Sequence, residues 1–121
     1  MVNEISTKAQ FDELLKTHPY VFLQAHATWC GPCKAISPFF EKHAAEWDSV
    51  KDKYAFVKFD TDDVPDLAQE LGIRSIPAFF MFENGEKIDN LAGANPPALK
   101  KLADTYGEKA KSGGLPTDEN F

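Results

Sequence analysis

The chain has 121 residues, 43% of them hydrophobic and ten of them Phe, which is enough for one packed core and too little for two of ordinary size. Its formal charge of -6 comes with no basic run able to displace counterions from a polyphosphate, which argues against nucleic acid as a partner. The longest apolar runs, such as 76–82, fall far short of the roughly 20 residues that cross a bilayer, so no membrane role is expected.

The opening Met1-Val2-Asn3-Glu4-Ile5-Ser6 has neither the basic nor the apolar segment of a secretory leader, and the cytoplasm is the expected compartment. Val2 to Ile5 can open a sheet. A helix is predicted from about Lys8 to Lys16, because Thr7 and Gln10 fit a capping box and Phe11, Leu14 and Leu15 share one face. Tyr20 to Ala25 is a short apolar run, as in a strand covered on both faces, and it leads directly into Trp29-Cys30-Gly31-Pro32-Cys33. From Cys33 to about Trp47, the residues Ile36, Phe39, Phe40, His43, Ala44 and Trp47 have helical spacing, with a kink expected at Pro38. Tyr54 to Phe59 reads as a strand. Asp62 or Asp63 then offers a cap for a helix at about Pro65 to Leu71, closed by Gly72. Ala78 to Phe82 and Lys87 to Leu91 flank Asn84-Gly85, a strong hairpin signal, so these strands are expected to be antiparallel. Asn95 can cap a last helix, Pro96 suits its first position, and Leu99, Leu102, Ala103 and Tyr106 form its apolar stripe. After Tyr106 the composition turns polar, so residues 1–106 are expected as the domain and 107–121 as a flexible tail. Parallel strands followed by a hairpin give an α/β architecture: a mixed sheet with helices on both faces and the cysteines at the carboxyl end of a strand.

The two cysteines lie within four residues of each other, which cannot make a stapling framework and points to redox chemistry or metal binding. Positions i and i+3 at a helix start come together after one turn, so Cys30 and Cys33 can close a small disulfide ring. Cys30 lies over unpaired backbone N–H groups and the positive end of the helix dipole; both favour thiolate, which makes it the expected nucleophile. Thiolate attack on a substrate disulfide gives a mixed disulfide that Cys33 can release. Gly31 allows close backbone approach, Pro32 starts the helix without wasting a donor, and Trp29 offers a flat apolar wall.

The segment Trp29-Cys30-Gly31-Pro32-Cys33-Lys34 resembles the active-site motif of the thioredoxin family. The resemblance extends over about residues 2–106 through Phe59-Asp60, Gly72-Ile73-Arg74-Ser75-Ile76-Pro77, Phe82-Glu83-Asn84-Gly85 and Ala92-Gly93-Ala94. It implies a thioredoxin fold, with a central five-stranded mixed sheet flanked by four helices and a cis Ile76-Pro77 bond facing the cysteines. It further implies a groove shaped by Pro77 and walled by Trp29 and the Gly93 loop, in which the backbone of Ile76 pairs with an extended substrate segment. The implied activity is reduction of protein disulfides with no bound cofactor. The implied partners are a thioredoxin reductase drawing on NADPH and disulfide-containing clients such as peroxiredoxins or reductases, met by a monomer.

Two departures stand out. Most thioredoxins carry a buried Asp six residues before the nucleophile, as a proton acceptor near the resolving cysteine, and a Lys near it; this chain has Gln24 and Phe56. The pair can be read as a less polar core, or as a change that slows deprotonation of Cys33, since an amide accepts no proton at useful pH. His26, four residues before Cys30, could steady a thiolate or simply be a partly exposed side chain, and His18 and His43 read as residues of helical faces.

Other readings use the same residues. Cys30, Cys33 and His26 would give zinc three ligands where a structural site takes four. A redox-switched binding or chaperone module would keep the motif with little turnover, because of Gln24. An oxidase or isomerase usually carries a charged residue or His between its cysteines, where this chain has Gly31 and Pro32.

Overall fold

The structure is a computed structural model and describes residues 2–113. β1 (Val2–Glu4) is followed by α1 (Lys8–Thr17), where Thr7 accepts the Gln10 N–H at 3.1 Å and Gln10 Oε1 takes the Ser6 N–H at 2.7 Å. The N-cap half of the expected capping box forms, while the Gln10 side chain returns to the N–H one residue before the cap, and the helix starts where the sequence predicts it. β2 (Tyr20–His26) feeds α2 (Gly31–Glu46), which runs through Pro38; β3 (Tyr54–Asp60), α3 (Pro65–Glu70), the β4 (Ala78–Glu83) and β5 (Glu86–Ala92) hairpin, and α4 (Pro96–Gly113) follow. Asn84 and Gly85 both have positive φ, 52° and 85°, the conformation that a two-residue hairpin turn demands.

The sheet order is β1-β3-β2-β4-β5, with β1, β3 and β2 parallel and β4 and β5 antiparallel to their neighbours. β2 is central and apolar on both faces, so its alternating side chains seed two cores. Val21, Leu23 and Ala25 meet Phe11 of α1 and Leu67 of α3 on one face. Phe22 on the other meets Phe40 of α2, Phe56 and Phe79 at centroid distances of 5.3–6.0 Å, with Leu99 and Ala103 of α4 in the same cluster. Phe56 is therefore a full member of an aromatic core. The Tyr20 phenol in this layer is pushed up to about 12, chiefly by burial and then by the Glu83 carboxylate that accepts its proton at 2.9 Å.

Three details differ from the sequence reading. Neither Asp62 nor Asp63 caps α3: the N-cap is Val64, and the Leu67 N–H is taken by Asp66 instead. His43 is buried, with Nδ1 3.0 Å from Glu46 Oε1 and its ring within electrostatic reach of Asp104 on α4. Finally, α4 continues past Tyr106 to Gly113, so 107–113 is helix and not tail; the remaining eight positions expected as tail, 114–121, lie outside the described residues. Ala110 is buried in the aromatic core, and this contact carries the helix beyond the point where its polar composition suggests an end.

The α2–α4 contact also holds Asp104, whose carboxylate accepts the Trp47 indole N–H at 3.2 Å and the Lys100 ammonium at 2.6 Å. Burial raises its pKa, but the hydrogen bonds from Lys100 and Trp47 together with the charges of Lys100 and His43 outweigh it, so the group ends below its ordinary 3.8. A folded-state value below the unfolded one means stability that is present above the ordinary range and lost as pH falls through the folded value. Asp104→Asn should therefore lower the melting temperature near neutral pH, and the deficit against the wild type should shrink as pH falls below the ordinary carboxylate range. A deficit that does not depend on pH would count against this linkage.

Candidate active site

β2 ends at His26 and α2 begins at Gly31, so both cysteines sit at a strand-to-helix junction. Cys30 is the N-cap of α2, with φ -89° and ψ 106°, and its Sγ accepts the Cys33 N–H at 3.1 Å. A sulfur thus occupies the place usually held by a Ser or Asp oxygen and takes one of the orphan donors of the helix. In the reduced protein, that donor is what an anion on Cys30 needs. Cys33 lies one turn on at a Cα–Cα separation of 5.2 Å, and the two sulfurs are joined as a disulfide. Cys30 is 4% exposed and Cys33 2%, so burial hardly distinguishes them, while the N–H aimed at Cys30 does.

Around the pair, Pro32 occupies the first turn of α2, Lys34 is exposed with its N–H on the Cys30 carbonyl at 3.3 Å, and a Cβ at Gly31 would meet nothing within 4 Å. Packing within the chain therefore does not demand Gly31, and the space beside it stays open. The Ile76–Pro77 bond is cis, and the Ile76 carbonyl oxygen stands 3.8 Å from Cys30 Sγ. Gly93, at φ 95°, donates its N–H to the Pro77 carbonyl at 2.9 Å, which ties the two loops together. Trp29 and Ile76 border a groove of about 400 Å³, lined also by Thr61, Ala68, Ile73, Arg74 and Ser75; Pro77 and Gly93 fall outside this lining.

Gln24 is 1% exposed, and its Nε2 donates to Ser37 Oγ at 3.1 Å, while Ser37 Oγ donates to the Cys33 carbonyl at 2.8 Å. The amide is thus linked through one hydroxyl to the backbone of the second cysteine. His26 faces the edge strand, with Nε2 3.7 Å from Glu4 Oε2. Among the described residues, no group of three or more His, Cys, Asp or Glu could hold a metal ion.

Sequence reasoning missed Ser37 and Asp62. A serine inside a helix reads as part of a solvated face, and an Asp after a strand reads as a helix cap. In the structure Asp62 Oδ2 accepts the Trp29 Nε1–H at 2.9 Å, a pairing across 33 positions that no local pattern announces.

The family model described as Thioredoxin matches residues 2–106. Thioredoxin-2 of Pyricularia oryzae is 44% identical over 101 residues, which cover 84% of this chain and 57% of that protein, so the chain spans little more than half of it. Thioredoxin 1 of Plasmodium falciparum is 38% identical over 106 residues, covering 88% of this chain and 98% of that protein. The crystal structure of mitochondrial thioredoxin 3 from Saccharomyces cerevisiae, in its oxidised form, superposes with a TM-score of 0.78 at 32% identity, covering 86% of this chain and 94% of that one.

Proposed function

From the premise that this chain belongs to the thioredoxin family, we propose that Cys30 attacks client disulfides and Cys33 resolves the mixed disulfide that forms. The chain is a thiol–disulfide oxidoreductase, and its electrons travel on the two sulfurs without a bound cofactor. What supports the assignment of roles is the Cys33 N–H on Cys30 Sγ at 3.1 Å, a donor that steadies charge on the first sulfur and not on the second.

The Cys30 thiolate bonds to one sulfur of the client disulfide and expels the other as a thiolate. Cys33 then loses its proton and attacks Cys30, the second client thiolate leaves, and the internal disulfide closes. Two electrons have moved to the client, and each released thiolate takes up a proton. The backbone of Ile76, which lines the groove with Trp29 and continues into the Pro77–Gly93 backbone contact, offers an edge for an extended client segment. A thioredoxin reductase using NADPH returns the electrons, and disulfide-bearing proteins such as peroxiredoxins accept them, with the chain acting as a monomer in the cytoplasm. No helix among the described residues is long and apolar enough to cross a membrane.

NADPH oxidation in a mixture of this protein, thioredoxin reductase and insulin tests the reading: consumption should require all three, and its absence with active reductase would sink the proposal. A binding module with little turnover is not favoured, since the sulfurs are within bonding reach and the first has its donor. Gln24 bears on rate. Gln24→Asp should speed resolution of a preformed mixed disulfide near neutral pH by about tenfold or more, since a positioned carboxylate can take the Cys33 proton. An unchanged single-turnover rate would remove any part for this position in resolution.

A further inference from the structure

Trp29 is 68% exposed beside the reacting sulfurs, so burial cannot set its orientation. A hydrogen bond does: its Nε1 donates to Asp62 Oδ2 at 2.9 Å. Asp62 is itself held, because its N–H donates to Asp60 Oδ1 at 2.8 Å, and Asp60 is buried at the end of β3. The Thr61, Asp63 and Val64 N–H groups are also spent on carbonyls of His26 and Asp60, at 2.9–3.0 Å, so the turn that presents Asp62 is anchored to the sheet at several points. The result is a rigid chain of contacts from the central sheet to an exposed indole that forms one wall of the 400 Å³ groove.

We propose that Asp62 is a positioning residue for client recognition: it fixes the Trp29 ring as a preformed groove wall, and so favours disulfides embedded in an extended polypeptide over small disulfides that need only reach the sulfurs. The proposal rests on the reading of Cys30 as the attacking sulfur and of the groove as the client's seat. Ordering a free side chain at an interface weakens binding by roughly twofold to tenfold, and that cost is avoided when the ring is already in place. A small disulfide that does not lie along the groove gains nothing from the ordering.

The test compares wild type, Asp62→Ala, Asp62→Asn, Trp29→Phe and the Trp29→Phe/Asp62→Ala double variant on insulin and on a small aromatic disulfide. Dithiothreitol serves as reductant, so that docking to a reductase plays no part. Asp62→Ala should lower the insulin to small-disulfide ratio of kcat/KM about twofold to tenfold, through KM for insulin. Asp62→Asn, whose amide oxygen still accepts the indole N–H, should recover about half of the loss or more. In the Trp29→Phe background, which lacks that N–H, Asp62→Ala should change the ratio no further. An unchanged ratio, a proportionate loss on both substrates, no recovery in the Asn variant, or a full effect without the indole N–H would each overturn the proposal. Wild type inactive on both substrates would instead overturn the oxidoreductase reading beneath it.

Discussion

Cys33→Ser should turn the protein from a carrier of electrons into a trap: incubated with a disulfide-bearing protein, it accumulates a stable mixed disulfide through Cys30 and turnover falls to the uncatalysed background. The second sulfur lies one turn from the first, Cα to Cα 5.2 Å, and so attacks within the molecule. Well-oriented intramolecular groups act at effective concentrations of about 10⁵ M or more, beyond anything an external thiol can match. Cys30→Ser should lose turnover as completely but trap nothing, because Cys33 lies inside the helix without the N–H donor that Cys30 receives. Non-reducing electrophoresis with insulin or a reduced-and-reoxidised peroxiredoxin reads both outcomes. A Cys33→Ser protein that forms no adduct while Cys30→Ser does would reverse the assigned roles.

Gly107→Ala should destabilise the fold by about 1–3 kcal/mol, the opposite of what glycine removal from a helix ordinarily does. Gly107 is an interior residue of α4, where alanine normally gains about 1 kcal/mol. Here, however, a Cβ would run into the Trp47 indole at Cε2, Cδ2 and Cζ2. The indole stands against the helix at Gly107 and is held by its hydrogen bond to Asp104 at 3.2 Å, so it cannot swing aside without giving up that bond. A fall in melting temperature of roughly 5–15 °C is expected. Gly107→Ala in a Trp47→Ala background should lose the clash and turn neutral or stabilising. If the single variant melts at or above the wild type, the close contact does not constrain the helix.

Gly107 opens a polar stretch and reads as the end of a helix, and only the approach of Trp47 from sixty residues upstream gives the glycine its meaning. Gln24 was legible as a departure from the family pattern, but its link through Ser37 to the Cys33 carbonyl was not, since that contact joins a strand to a helix across the sheet face. Asp62 was assigned a local job at a helix start and holds a distant indole instead. His26 reads from the sequence either as support for a thiolate or as a partly exposed side chain, and its ring lies 3.7 Å from Glu4 of the edge strand.

Contiguous residues were enough to read the element order, the Thr7 and Asn95 caps, the Asn84-Gly85 turn and the placing of Cys30 and Cys33 at a helix start. Each of these depends on dihedral preference, side-chain period or hydrogen bonds within about four residues, so contiguous letters contain the whole cause. The strand order, the length of α4, the burial of His43, the groove beside Trp29 and the partners of Gln24 and Asp62 emerge only when the chain is packed. Those depend on which faces meet when the apolar surfaces of a two-sided sheet are covered, a choice made by the volume and shape of residues far apart in the chain.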